Sequence, residues 1–120
     1  SGKKRTAAPV DWARLEQSSG GDEEFRRRLT EVFLFDCQDR LARLKAALSA
    51  GDFGQAAREA HSIRGAAANF GASELAGLAA SLEKKAEEQN GGRCRELMDK
   101  IGGEFERVKN FLAGKKVERG

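Results

Sequence analysis

The chain has 120 residues, 39% hydrophobic and 34% charged, with a formal net charge of +3. That length serves one domain around one core and is too short for two. It holds no apolar run near the roughly 18 residues of a membrane span, and its start lacks the apolar stretch of a secretion signal, so the expected location is cytoplasmic with no membrane partner.

Abundant alanine, leucine, glutamate, lysine and arginine, with no tyrosine and a single proline, favour helix over sheet. The positive charge is concentrated at the ends: Lys3, Lys4 and Arg5 on one side, Lys115, Lys116 and Arg119 on the other. The stretch between is mildly acidic. A protein that binds nucleic-acid phosphates carries its positive charge on the fold, so no nucleic-acid partner is expected. Residues 1–9 read as a flexible tail, 10–113 as the folded domain and 114–120 as a basic C-terminal tail.

Val10-Asp11-Trp12-Ala13-Arg14-Leu15 predicts a short helix capped by Asp11, ending in Ser18-Ser19-Gly20-Gly21. A long helix over 22–49 follows. Asp22 is its cap, Glu23 and Glu24 lie in its first turn, and Phe25, Leu29, Phe33, Cys37, Leu41, Leu44 and Leu48 recur every three or four residues. Gly51 ends it. Asp52 and Gln55 then form a capping-box pattern for a helix over 53–69, whose apolar stripe is Phe53, Ala56, Ala57, Ala60, Ile63 and Ala67.

Phe70-Gly71-Ala72 breaks that pattern, and Ser73 caps a helix reaching about Gln89 with Leu75, Leu78, Ala79, Leu82 and Ala86 inward. Asn90-Gly91-Gly92 reads as a turn. The last helix carries Cys94, Leu97, Ile101, Phe105, Val108 and Leu112, widened by Met98 and Phe111, with Gly102-Gly103 placed for close packing or a bend. The expected fold is all-α: an antiparallel up-down-up-down four-helix bundle with the short N-terminal helix across one end, monomeric. Cys37 and Cys94 fall on apolar stripes without CxxC spacing, so buried reduced thiols are expected.

The stretch EAHSIRGAAANFG, residues 59–71, holds the only histidine. His61 projects just outside the apolar stripe, and its neighbours one turn away are Ala57, Arg58, Arg64 and Gly65. Two are small and two are cationic. Gly65 leaves space beside the ring, and a guanidinium three residues on can meet an anionic group with charge-assisted hydrogen bonds. The plain alternative is a boundary histidine in a helical scaffold. One histidine and two distant cysteines make no metal site. Catalysis through Ser62 fails on geometry, since adjacent helical side chains diverge by about 100°. Glu83-Lys84-Lys85 and Glu87-Glu88 read as solvated faces, and no nucleotide-binding glycine motif is present.

AHSIRGAAANFGASELAGLAASLE, residues 60–83, resembles the signature of the histidine-containing phosphotransfer (HPt) family, AHxLKGxxxxxGA followed by a leucine-rich helix ending in LE. LARLKAALSAGDFGQAAREAH, residues 41–61, is similar to the family's preceding helix and turn, so the resemblance spans about 10–113. It implies that His61 accepts a phosphoryl group on Nε2, with Gly65 matching the usual glycine and Arg64 replacing the usual lysine. Gly71 and Ala72 match the turn that follows.

The resemblance further implies a phosphorelay carrier without kinase activity of its own. Its partner is the receiver domain of a response regulator, which supplies the aspartate and Mg2+; the chain needs no cofactor and is either free-standing or part of a hybrid sensor kinase. Ala57, Arg58, Ala68 and Asn69 make the expected docking patch with Phe35, which projects away from its helix's stripe and is either exposed for a partner or covered by the short first helix. A dimerising kinase helix fits less well: Ser62, Ile63 and Arg64 stand where such helices place an acidic residue and a proline.

Overall fold

The computed structural model describes residues 8–119, with side chains to residue 115. Five helices follow one another: α1 (Trp12–Ser18), α2 (Glu23–Ser49), α3 (Phe53–Phe70), α4 (Ser73–Glu87) and α5 (Gly91–Arg119). Among the described residues there is no strand. Connections this short turn each long helix back beside its predecessor, giving the expected bundle. The expected flexible tail at 1–9 lies largely outside the described residues. The last helix passes the bound expected at 113, so the segment set apart as a basic tail continues the α5 backbone to Arg119.

Side-chain caps fix where the helices begin. The backbone N–H groups of Arg14, Phe25 and Gln55 donate to Asp11, Asp22 and Asp52 at 3.1, 3.0 and 3.0 Å, each cap contributing about 1 kcal/mol. Gln55 does not complete its capping box; its amide donates to Glu59 Oε2 at 2.8 Å instead. Two starts differ from expectation. Ala72, not Ser73, occupies the cap position of α4, with no side-chain bond, because the chain there is drawn into the core and the Ala72 N–H returns to Ala67 O at 2.8 Å. The expected turn at 90–92 is tighter: Asn90 Oδ1 accepts from the Arg93 N–H at 3.1 Å, so Gly91 and Gly92 are already helical.

The core runs along the bundle axis, with Leu44, Ile63, Leu75, Leu82, Ile101 and Val108 fully buried. Phe33 and Phe70 stack face to face with centroids 4.1 Å apart, extending α3 one residue beyond its predicted end. α1 closes one end. Val10 and Leu15 are buried there, the Asp11 N–H donates to Gly71 O at 3.0 Å, and Trp12 meets Phe111 edge-on at 6.5 Å. This placement reverses one expectation at the start of α2: Phe25 is 48% exposed, while Arg26 is buried with its guanidinium 5.2 Å over the Trp12 ring.

Gly71 has φ +91°, a left-handed conformation that favours glycine, while a Cβ on it would make only ordinary contact with Asp11 Cβ at 3.5 Å. Gly102 and Gly103 differ. A Cβ on either meets nothing within 4 Å, so these two do not serve close packing. Gly102→Ala or Gly103→Ala should therefore raise stability by about 0.5–1 kcal/mol, while Gly71→Ala should lower it by about 1–2 kcal/mol, measured by chemical denaturation. A loss at Gly102 would refute this account.

Cys37 and Cys94 are buried free thiols. Burial, with Asp36 adding to it, pushes the Cys37 thiol up to about 12, and burial also raises Cys94. Neither forms thiolate at ordinary pH. Alkylation of the native protein at pH 8 should be slow at both positions and fast in denaturant, as mass spectrometry would show; rapid native labelling would contradict the burial.

Candidate functional site

Helix α3 makes polar contacts on two sides. Toward α2, Glu59 is only 6% exposed and accepts from Arg40 NH1 at 3.3 Å, Arg43 Nε at 3.2 Å and Gln55 Nε2 at 2.8 Å. This carboxylate went unnoticed in the sequence. Its partners lie on another helix, and nothing in the α3 pattern sets it apart from a solvated glutamate.

Toward α4 the arrangement is open. The His61 side chain is 60% exposed, and its Nδ1 lies 3.0 Å from Glu83 Oε2 and 2.8 Å from Arg64 NH2. Arg64 Nε stands 3.4 Å from Glu83 Oε1, closing a triangle of imidazole, guanidinium and carboxylate. Both ring contacts fall on Nδ1. Among the described residues Nε2 has no hydrogen-bond partner.

Glu83 corrects an expectation, since it is no solvated face: its side chain is 19% exposed and turned to the histidine. The LE at the end of the 60–83 motif was the one available signal. An ionised carboxylate only accepts, so when Nδ1 carries hydrogen it donates to Glu83, the ring is oriented by that bond and the lone pair lies on Nε2.

A shallow hollow around the ring is lined by Ala57, Arg58, Ser62, Glu83 and Glu87. Ala57 and Arg58 are thus brought to His61, with the Arg58 guanidinium held by Gln55 Oε1 at 3.0 and 3.2 Å. Gly65 is exposed on α3, and a Cβ there would meet nothing within 4 Å. Ala68 and Asn69 are exposed farther along α3, outside the hollow. Phe35 is 78% exposed on α2, so α1 does not cover it, and Val32 beside it is 67% exposed. The structure does not bring Phe35 into the hollow, because α2 flanks α3 on the Glu59 side and α4 flanks it on the His61 side.

Among the described residues no group of three or more His, Cys, Asp or Glu is placed to hold a metal ion, and no helix is long and apolar enough to cross a membrane. A larger groove between α1, the start of α2 and the end of α5 shares no residue with the hollow.

Comparison with known proteins matches this architecture. No curated protein sequence matches the chain at a significant level. Among solved structures, histidine-containing phosphotransfer protein B (HptB) from Pseudomonas aeruginosa PAO1 superimposes with a TM-score of 0.84 at 30% identity, covering 96% of this chain and 99% of that one. The family model of the Hpt domain matches residues 28–111, a span that takes in His61, Arg64, Gly65 and Glu83 together. An exposed imidazole on a bundle of this shape and this sequence has one family explanation: the chain belongs to the Hpt domain family, the histidine phosphotransfer modules of phosphorelays.

Proposed function

We propose that this chain carries a phosphoryl group on His61 Nε2, exchanging it with the aspartate of a response-regulator receiver domain. The observation that carries the reading is the exposed ring, with its protein contacts on Nδ1 and Nε2 open. The Nε2 lone pair attacks phosphorus in line, the acyl P–O bond breaks and the aspartate leaves as carboxylate. The ring becomes cationic, and Glu83 stabilises the proton that stays on Nδ1. The chain needs no cofactor for this step, since the receiver brings both aspartate and Mg2+. Its part is positioning.

In this reading Ala57 gives flat access, Arg58 faces acidic groups of the partner, Ala68 and Asn69 extend the contact along α3, and Phe35 on α2 offers a separate apolar anchor. The chain acts as a cytoplasmic monomer, free-standing or within a hybrid kinase. Gly65 supplies room. Its missing side chain would touch nothing in this protein, so the space beside His61 serves an approaching partner.

Incubation with a phosphorylated receiver domain should place acid-labile, base-stable phosphate on the wild type and none on His61→Gln. Equal label on the variant would overturn the assignment. Gly65→Gln should retain the fold and thermal stability while slowing transfer about ten- to a hundredfold, because misplacement by an ångström is costly in phosphoryl transfer. Unchanged transfer by that variant would remove the access role.

A further inference from the structure

The two contacts on Nδ1 are mutually exclusive. A guanidinium only donates, so Arg64 NH2 at 2.8 Å requires an Nδ1 lone pair, whereas an ionised Glu83 at 3.0 Å requires an Nδ1 proton. In a neutral imidazole the two place the proton on opposite nitrogens. With Arg64 engaged, hydrogen sits on Nε2 and blocks the atom that must attack. With Glu83 engaged, Nε2 is free.

We propose, resting on the phosphocarrier reading above, that Arg64 gates the tautomer of His61: it holds the resting ring in the closed Nε2–H form and releases it when an anionic phosphoryl group approaches. Arg64 can make that move. Its side chain is 44% exposed, it stands one turn from the histidine, and Glu83 Oε1 at 3.4 Å from its Nε is its other contact at the site. Once the guanidinium turns to the phosphoryl oxygens, Nδ1 passes to Glu83, the proton relocates through solvent at an exposed ring, and the Nε2 lone pair opens at the moment its electrophile arrives. The same residue then pairs with the phosphoryl group it admitted. Arg64 is in this sense a positioning residue for the ring proton before transfer.

His61 is the only histidine, so long-range 1H–15N spectra of the full chain with labelled histidine report this one ring. They are recorded at a pH where the 15N shifts themselves show the ring to be neutral. The wild type should show a substantial Nε2–H population. Arg64→Met, which keeps the aliphatic length and removes the donors, should move the ring to Nδ1–H. Glu83→Leu should leave it Nε2–H and slow labelling by phosphoramidate about tenfold or more, the scale on which orienting carboxylates act.

Identical tautomer populations in the wild type and Arg64→Met, or a wild-type ring already wholly Nδ1–H, would overturn the gate. Thermal unfolding of each variant separates loss of fold from loss of gating. The carrier reading fails independently: a wild type that takes no label from phosphorylated receiver domains refutes that reading, while the spectra still decide the gate.

Discussion

The geometry at His61 depends on the close approach of α3 and α4. Ala56, Ala60 and Ala67 on α3, Ala72 in the turn and Ala79 and Ala86 on α4 are all buried, 0 or 1% exposed. Small side chains at a helix contact permit a closer approach than large ones do. The left-handed Gly71 and the bond from Ala72 N–H to Ala67 O fix the turn that joins them. With the turn fixed, the register follows. His61 and Glu83 each lie about 15 Å from it at 1.5 Å per residue, so residues 22 apart in sequence meet.

That approach leaves α3 with two polar edges of different character. Glu59 is shut in by three donors from α2 and its own helix, and a buried carboxylate so bound holds the α2–α3 seam, since losing both Arg40 and Arg43 would leave its charge uncompensated. The group at His61 is open to water and shares one nitrogen between two partners. A closed network resists rearrangement; an open one permits it. In the proposed function the second carries the chemistry, and the first ties α3 to α2.

How much of this was legible in the sequence follows from what periodicity encodes. Spacings of three and four reported each helix and its inner face, and Asp11, Asp22 and Asp52 announced three of the starts because a cap is a local event. His61, Arg64 and Gly65 were visible for the same reason: they lie within one turn of one helix. Arg26, Glu59 and Glu83 were not, since each owes its burial to a partner on another element, Trp12, Arg40 and Arg43, or His61. A single helix's pattern cannot tell a glutamate that meets water from one that meets a neighbour. Phe35 shows the converse, as its projection marked it as unusual without saying which surface it serves.

The arginine at 64, where the family usually has lysine, gains meaning from this open edge. A lysine ammonium is a compact point charge, adequate to neutralise a phosphoryl group but without a planar fork. Arg64 offers Nε to Glu83 Oε1 at 3.4 Å and NH2 to His61 Nδ1 at 2.8 Å from one rigid plane. Carboxylate and ring are thereby tied through a third group, so a change in what Arg64 binds is felt at both. The substitution preserves charge and adds coupling: the residue proposed to meet the phosphoryl group is also in contact with the nitrogen whose protonation decides whether the other nitrogen can react.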